Sequence, residues 1–96
     1  MSRPVNRLRA VHPGEVLRQE YLAPLGLSVN ALAIALRVPA TRIYEIVKER
    51  RGIAADTAEP LARYFGDDAA SWLALQADHD LKTLATREDI ARNVVP

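Results

Sequence analysis

The chain has no cysteine among its 96 residues, which excludes a disulfide framework, a thiolate zinc site and a thiol nucleophile. Aromatic residues are scarce, at 5% of the chain against 49% hydrophobic. Any core is therefore built mainly from aliphatic and small side chains, with Ala and Leu prominent. The Val/Ile/Thr alternation of strands is nearly absent, and the remainder favours a compact helical bundle. No apolar run approaches a membrane span, and the N-terminus carries no signal-peptide core, so a cytoplasmic protein without a membrane partner is expected. Neither a glycine-rich phosphate loop nor a nucleophile–base arrangement is present, so catalysis and cofactors are not expected. His12, Asp78, His79 and Asp80 are the sole group with metal-binding chemistry, but three of them are consecutive and diverge on a helix. No metal site is expected, and His12 is read as setting the entry to a helix.

The formal charge of +1 conceals a division. Residues 1–51 hold nine Lys/Arg against four Asp/Glu, a balance of +5, whereas residues 52–96 hold four against eight, a balance of −4. One reading is an ordinary solvated surface. The other is a basic face for phosphate and an acidic face for a protein partner or second subunit.

Local signals divide the chain into helices. Residues 1–11 are polar and basic and read as a mobile arm or short edge strand. Pro13 opens a helix with Val16, Leu17, Tyr21 and Leu22 on its apolar face, ended by Pro24 and Gly26. Ser28 caps a second helix that buries Leu32, Ala33 and Leu36, with Ala33 small enough to let the next helix cross closely. Val38, Ile43, Ile46 and Val47 form the buried side of that next helix. Gly52 is read as a φ > 0 position in the loop that follows. Pro60 favours a fourth helix starting at Thr57, or one with a distorted first turn, that carries Leu61, Ala62, Tyr64 and Phe65. Asp67 or Asp68 caps a fifth over roughly 68–84, with Trp72, Leu73, Leu75, Gln76, Leu81 and Leu84. Thr86-Arg-Glu-Asp89 resembles a capping box and suggests a short final helix.

The pair of helices in residues 27–48 has the pattern of a helix-turn-helix that enters a DNA major groove. Pro39, Ala40, Thr41, Arg42, Tyr44, Glu45 and Lys48 lie at its start or on its outward side, with Arg50 and Arg51 just beyond. Arg42, Lys48, Arg50 and Arg51 are candidates for phosphate contact, as are Ser28 and Asn30 at the preceding helix N-terminus; Arg18 is a further candidate. Ala40 and Thr41 suit a thymine methyl and Arg42 suits a guanine. Glu45 either accepts from a cytosine amino group or anchors Arg42 at i, i+3 spacing. A single reader binds weakly, so a dimer is expected, with Trp72, Ile90, Val94 and Val95 as candidates for the seam; Trp72 and Leu73 serve equally as core.

The run His12-Pro-Gly-Glu-Val-Leu-Arg18 with Tyr21-Leu-Ala-Pro-Leu-Gly-Leu-Ser28 resembles the opening of HigA-type antitoxins, members of the lambda-repressor-like helix-turn-helix group. Arg42-Ile-Tyr-Glu-Ile-Val47, Arg51-Gly-Ile53, Leu61-Ala-Arg-Tyr-Phe-Gly66 and Trp72-Leu-Ala-Leu-Gln-Ala-Asp78 match in order and spacing, so the similarity covers about residues 12–81. The resemblance implies an all-α, compact five-helix lambda-repressor-like domain over 12–84, with an arm at 1–11 and a short C-terminal extension at 85–96. It also implies a homodimer that neutralises a HigB toxin, a RelE-like mRNA endonuclease, and represses its own operon at a palindromic operator on double-stranded DNA. A stand-alone regulator, or an interaction module that no longer reads DNA, is the alternative. Three positions depart from the family pattern: Arg37 stands where Gly is usual, Val29 where many relatives carry Gln, and Ala54 where Ser or Thr caps the fourth helix. A non-Gly residue with φ > 0 at the turn costs about 1 kcal/mol.

Overall fold

The computed structural model describes the backbone of residues 9–94 and the side chains of residues 9–86. Five helices follow one another, with no strand among the described residues. None of them is long and apolar enough to cross a membrane. Residues 1–8, most of the expected arm, and Val95 lie outside the described residues, as do the side chains of Ile90 and Val94. Arg9, at the edge of the arm, is anchored: its guanidinium forks onto both carboxylate oxygens of Glu15 at 3.0 and 2.8 Å.

Helix α1 spans 13–25. It opens as an α-turn at Pro13–Val16, widens into a π-helical stretch at Leu17–Leu22, and closes as an α-turn at Ala23–Leu25. Pro13 supplies no N–H where a helix has no acceptor for one, and His12 Nδ1 accepts from the Gly14 amide at 2.9 Å. Pro24 does not end the helix as expected; it sits in the last turn. A proline ring there would meet the Glu20 carbonyl of an α-helix, and the wide turn before it, in which the Ala23 amide reaches back to the Arg18 carbonyl, relieves that clash. Gly26, at φ 61°, then reverses the chain.

Helices α2 (Val29–Leu36) and α3 (Ala40–Val47) form the expected pair. Ser28 Oγ accepts from the Ala31 amide at 3.0 Å. Arg37 adopts φ 59°, the left-handed conformation that the missing glycine would supply without strain. Leu32, Ala33 and Leu36 of α2 and Ile43, Ile46 and Val47 of α3 are buried together, with Val38 half-buried between them.

Helix α4 begins at Ala55 rather than Thr57 and runs to Phe65, so Pro60 lies inside it. The early start brings Thr57 and Ala58 into the core, where they are 1% and 0% exposed. That burial offsets the single helix hydrogen bond that Pro60 cannot make. Tyr64, expected on the apolar face, is exposed.

Helix α5, Ala69–Val94, is one uninterrupted helix. Asp68 Oδ1 caps it by accepting from the Ser71 amide at 2.7 Å. The expected short final helix is its continuation: Thr86 Oγ1 bonds back to the Lys82 carbonyl at 3.0 Å instead of capping a new start. Its first turns are held by Trp72, which is 2% exposed and donates from Nε1 to Asp67 at 3.1 Å. Tyr21 bonds the other oxygen of Asp67 at 2.9 Å and stacks at a tilt on Trp72 and Phe65. Trp72 is therefore core and is withdrawn from the dimer seam. Farther along, Leu81 and Leu84 stand 67% and 49% exposed, because α5 outruns the bundle it packs on.

Two glycines mark close approaches. A Cβ on Gly14 would lie 1.7 Å from the Ile46 carbonyl oxygen, so the start of α1 packs directly on the backbone of α3. A Cβ on Gly52 would lie 2.6 Å from Gln76 Oε1, the atom that accepts from the Ile53 amide. Gly52 thus makes room for the Gln76 amide rather than adopting a positive φ; the left-handed residue of that loop is Glu49, at φ 62°. Gly14→Ala is expected to destabilise the fold by about 3 kcal/mol or more, at or above the upper end of overpacking costs. Urea unfolding measures this, and a change under about 0.5 kcal/mol would show that the helices separate freely there.

Candidate nucleic-acid interface

The outward side of α3 follows from what its inward side must bury. With Ile43, Ile46 and Val47 in the core, the helical period turns Thr41, Tyr44, Glu45 and Lys48 to solvent, and all four are exposed. Pro39 at the start of the helix and Arg50 and Arg51 in the loop beyond it are exposed as well. Among the described residues, Lys48, Arg50 and Arg51 form no ion pair and stay exposed as three cations on one side of the molecule. Ser28 and Asn30 are exposed at the start of α2, where first-turn amides have no carbonyl partner within the helix.

Two of the outward positions are corrected. Ala40 is half-buried against the core, because the turn after Arg37 brings the first residue of α3 close to it. Arg42 is also half-buried and faces α4: Nη1 lies 3.2 Å from Asp56 Oδ2. Its Nε is buried with no acceptor. Of the two readings of Glu45, the Arg42 anchor is absent among the described residues: Asp56, at the N-terminal turn of the next helix, holds the guanidinium instead.

Arg18, a candidate for phosphate, is committed elsewhere. Its guanidinium donates to the Val47 carbonyl and to Glu49 Oε2, the latter at 3.2 Å. It caps the C-terminus of α3, where carbonyls lack helical partners and a cation suits the helix dipole. Nothing in the local periodicity relates residue 18 to residue 47. The Arg18 role and the Arg42–Asp56 pair were both missed for that reason.

The His12 region is structural. Its imidazole is 5% exposed and meets His79 of α5 edge-on, with ring centroids 4.8 Å apart. Burial holds the His12 pKa below the ordinary value, and the His79 charge acts in the same direction. Because Nδ1 accepts from Gly14, the neutral ring carries its proton on Nε2. Asp78 turns along its own helix to Lys82 at 3.1 Å, while Asp80 accepts from Gln76 at 2.9 Å. Among the described residues, no three His, Cys, Asp or Glu side chains gather in a way that holds a metal.

No family model matches the chain. Virulence-associated protein I of Dichelobacter nodosus is 56% identical over 90 residues, covering 94% of this chain and 82% of that protein. The Pseudomonas aeruginosa antitoxin HigA, solved with the higBA promoter, superposes with a TM-score of 0.79 at 43% identity, covering 92% of this chain and 98% of that one. An addiction module antidote protein of a HigA family from Coxiella burnetii gives a TM-score of 0.80 at 38% identity, with the same coverage of 92% and 98%.

The depressed His12 pKa has a measurable consequence. Stability carried by the neutral ring is fully present above the ordinary value of 6.5 and is lost as pH falls through the lower folded-state value. Urea midpoints are expected to hold from about pH 8 to 6.5 and decline toward about pH 5. His12→Asn, which keeps a capping acceptor without a titrating ring, is expected to flatten that decline. An equal decline in the variant would assign the effect to other groups.

Proposed function

The chain belongs to the HigA-type antitoxin family of helix-turn-helix proteins, and from that premise we propose that it neutralises a HigB-like mRNA endonuclease and represses its own operon as a homodimer on a palindromic operator. The observation that carries the DNA-reading part is the exposed face of α3, where Thr41, Tyr44, Glu45 and Lys48 stand clear of the core beside Arg50 and Arg51. Phosphate contacts from Lys48, Arg50, Arg51 and the Ser28–Asn30 helix start supply most of the affinity, and the α3 side chains supply the sequence preference. Family membership supports a protein acting by binding rather than by catalysis.

A twofold operator requires two copies of α3 about 34 Å apart. We place the seam on α5, where Leu81 and Leu84 are exposed, in the part of the chain that also holds the candidates Ile90, Val94 and Val95. An isolated projecting helix gains little from its own hydrogen bonds and is stabilised by covering such a face. Leu81→Asp with Leu84→Asp is expected to convert the dimer to a monomer in sedimentation while leaving the helical circular dichroism intact. A dimer that survives the double substitution would move the seam elsewhere.

Two measurements test the function. Binding to the chain's own promoter is expected to depend on sequence and to weaken by about 10³-fold between about 50 and about 200 mM salt for six phosphate contacts. Co-expression with the product of the neighbouring gene is expected to restore growth. Thr41→Ala with Arg42→Ala should abolish promoter preference and leave rescue intact, since the two activities use different surfaces. Failure of rescue with promoter binding retained would support a regulator without a toxin, and flat millimolar binding with rescue retained would support an interaction module.

A further inference from the structure

We propose that Asp56 is a positioning residue for base recognition: it holds one edge of the Arg42 guanidinium so that the rest of the fork faces the DNA groove in a fixed orientation. The inference rests on α3 being the base-reading helix and adds a residue from outside it. Asp56 belongs to the first turn of α4, 14 residues beyond Arg42, and its carboxylate meets Arg42 Nη1 at 3.2 Å. A guanidinium has five N–H donors in one plane. Among the described residues Arg42 finds no second acceptor, so its remaining Nη donors are unused there.

The pair is poorly explained as a device for stability. Asp56 is 67% exposed, and pairs of that kind contribute little to folding. The same geometry buries Arg42 Nε without a partner, which is a cost. An arrangement that costs folding energy and returns little of it has its use in orientation. A free arginine samples many rotamers before it can bridge a guanine; one tethered at Nη1 presents its outer donors already aligned. Glu45, nearer in sequence and also a carboxylate, makes no bond to Arg42, so the tether comes from α4 and leaves Glu45 facing solvent.

The test uses the full chain and duplex DNA from the promoter of its own gene, with every base pair substituted in turn and binding read by fluorescence anisotropy. Asp56→Ala is expected to shrink the preference at one or two G·C pairs about tenfold, while affinity for an unrelated duplex and the salt slope stay unchanged. Arg42→Ala is expected to erase preference at the same pairs, and the double variant to match Arg42→Ala alone. Asp56→Asn, which keeps one acceptor oxygen, should retain more preference than Asp56→Ala. An unchanged preference profile in Asp56→Ala overturns the inference. So does an equal gain on all duplexes with a salt slope steeper by about one, which would make Asp56 only a repulsive charge near phosphate. A wild-type chain that does not distinguish its promoter from unrelated DNA overturns the DNA-reading function itself, and the role of Asp56 with it.

Discussion

The orientation of α3 depends on a backbone-to-backbone contact with α1. Gly14 presses against the Ile46 carbonyl where no Cβ fits, and one turn later Arg18 donates to the Val47 carbonyl. Together these contacts fix both the separation of the helices and the position of the C-terminal end of α3. The contact needs a helix start with no side chain at its second residue. His12 and Pro13 supply that start, the first by capping the Gly14 amide and the second by preset φ. A rotation of α3 by one residue would bury Tyr44 and expose Ile43, so the exposed face is inherited from the packing of the buried one.

The rest of the bundle supports that contact from behind. Ala33, Ala58 and Ala62 let α2 and α4 approach closely, and Leu17, Leu32, Ile46 and Leu61 fill the space between helices. Asp67 ties the end of the bundle by accepting from both Tyr21 and Trp72, which joins α1 to the first turns of α5. Burial and the bond to Asp67 hold the Tyr21 hydroxyl above the ordinary phenol pKa, so it remains a donor at any physiological pH. Only the first part of α5 takes part in this core. Farther along, Leu81 and Leu84 are uncovered, and the proposed dimer seam lies there rather than at Trp72.

The basic and acidic halves of the chain are joined where base reading is proposed to occur. Arg42 belongs to the basic half and Asp56 to the acidic one, and their pairing across the loop removes one cation from those available to phosphate. Lys48, Arg50 and Arg51, exposed and without an ion pair among the described residues, are the cations proposed to meet the DNA backbone. On the proposed reading, nonspecific attraction and base selection fall to different basic side chains of one surface. Arg37 carries a different burden: its left-handed φ of 59° stores strain at the turn where glycine would be free of it.

Interactions between residues three or four apart were legible in the sequence. The cap at Ser28, a cap at Asp67 or Asp68, the buried stripes of α2 and α3, and the exposed row at Thr41, Tyr44, Glu45 and Lys48 all follow from helical period and capping chemistry. Both act within a turn or two of chain. The ordered motifs from His12 to Asp78 likewise carried the family. Tertiary structure decided what distant residues share: the Arg42–Asp56 pair, Arg18 on α3, Gly14 against Ile46 and Gly52 against Gln76. It also moved the start of α4 to Ala55, because burying Thr57 and Ala58 outweighs the bond that Pro60 forfeits. The physical reason is the same in each case. Local chemistry sets which face of a helix is apolar, but the distance between two helices is settled only when both are packed, and hydrogen bonds and glycines then follow from that distance.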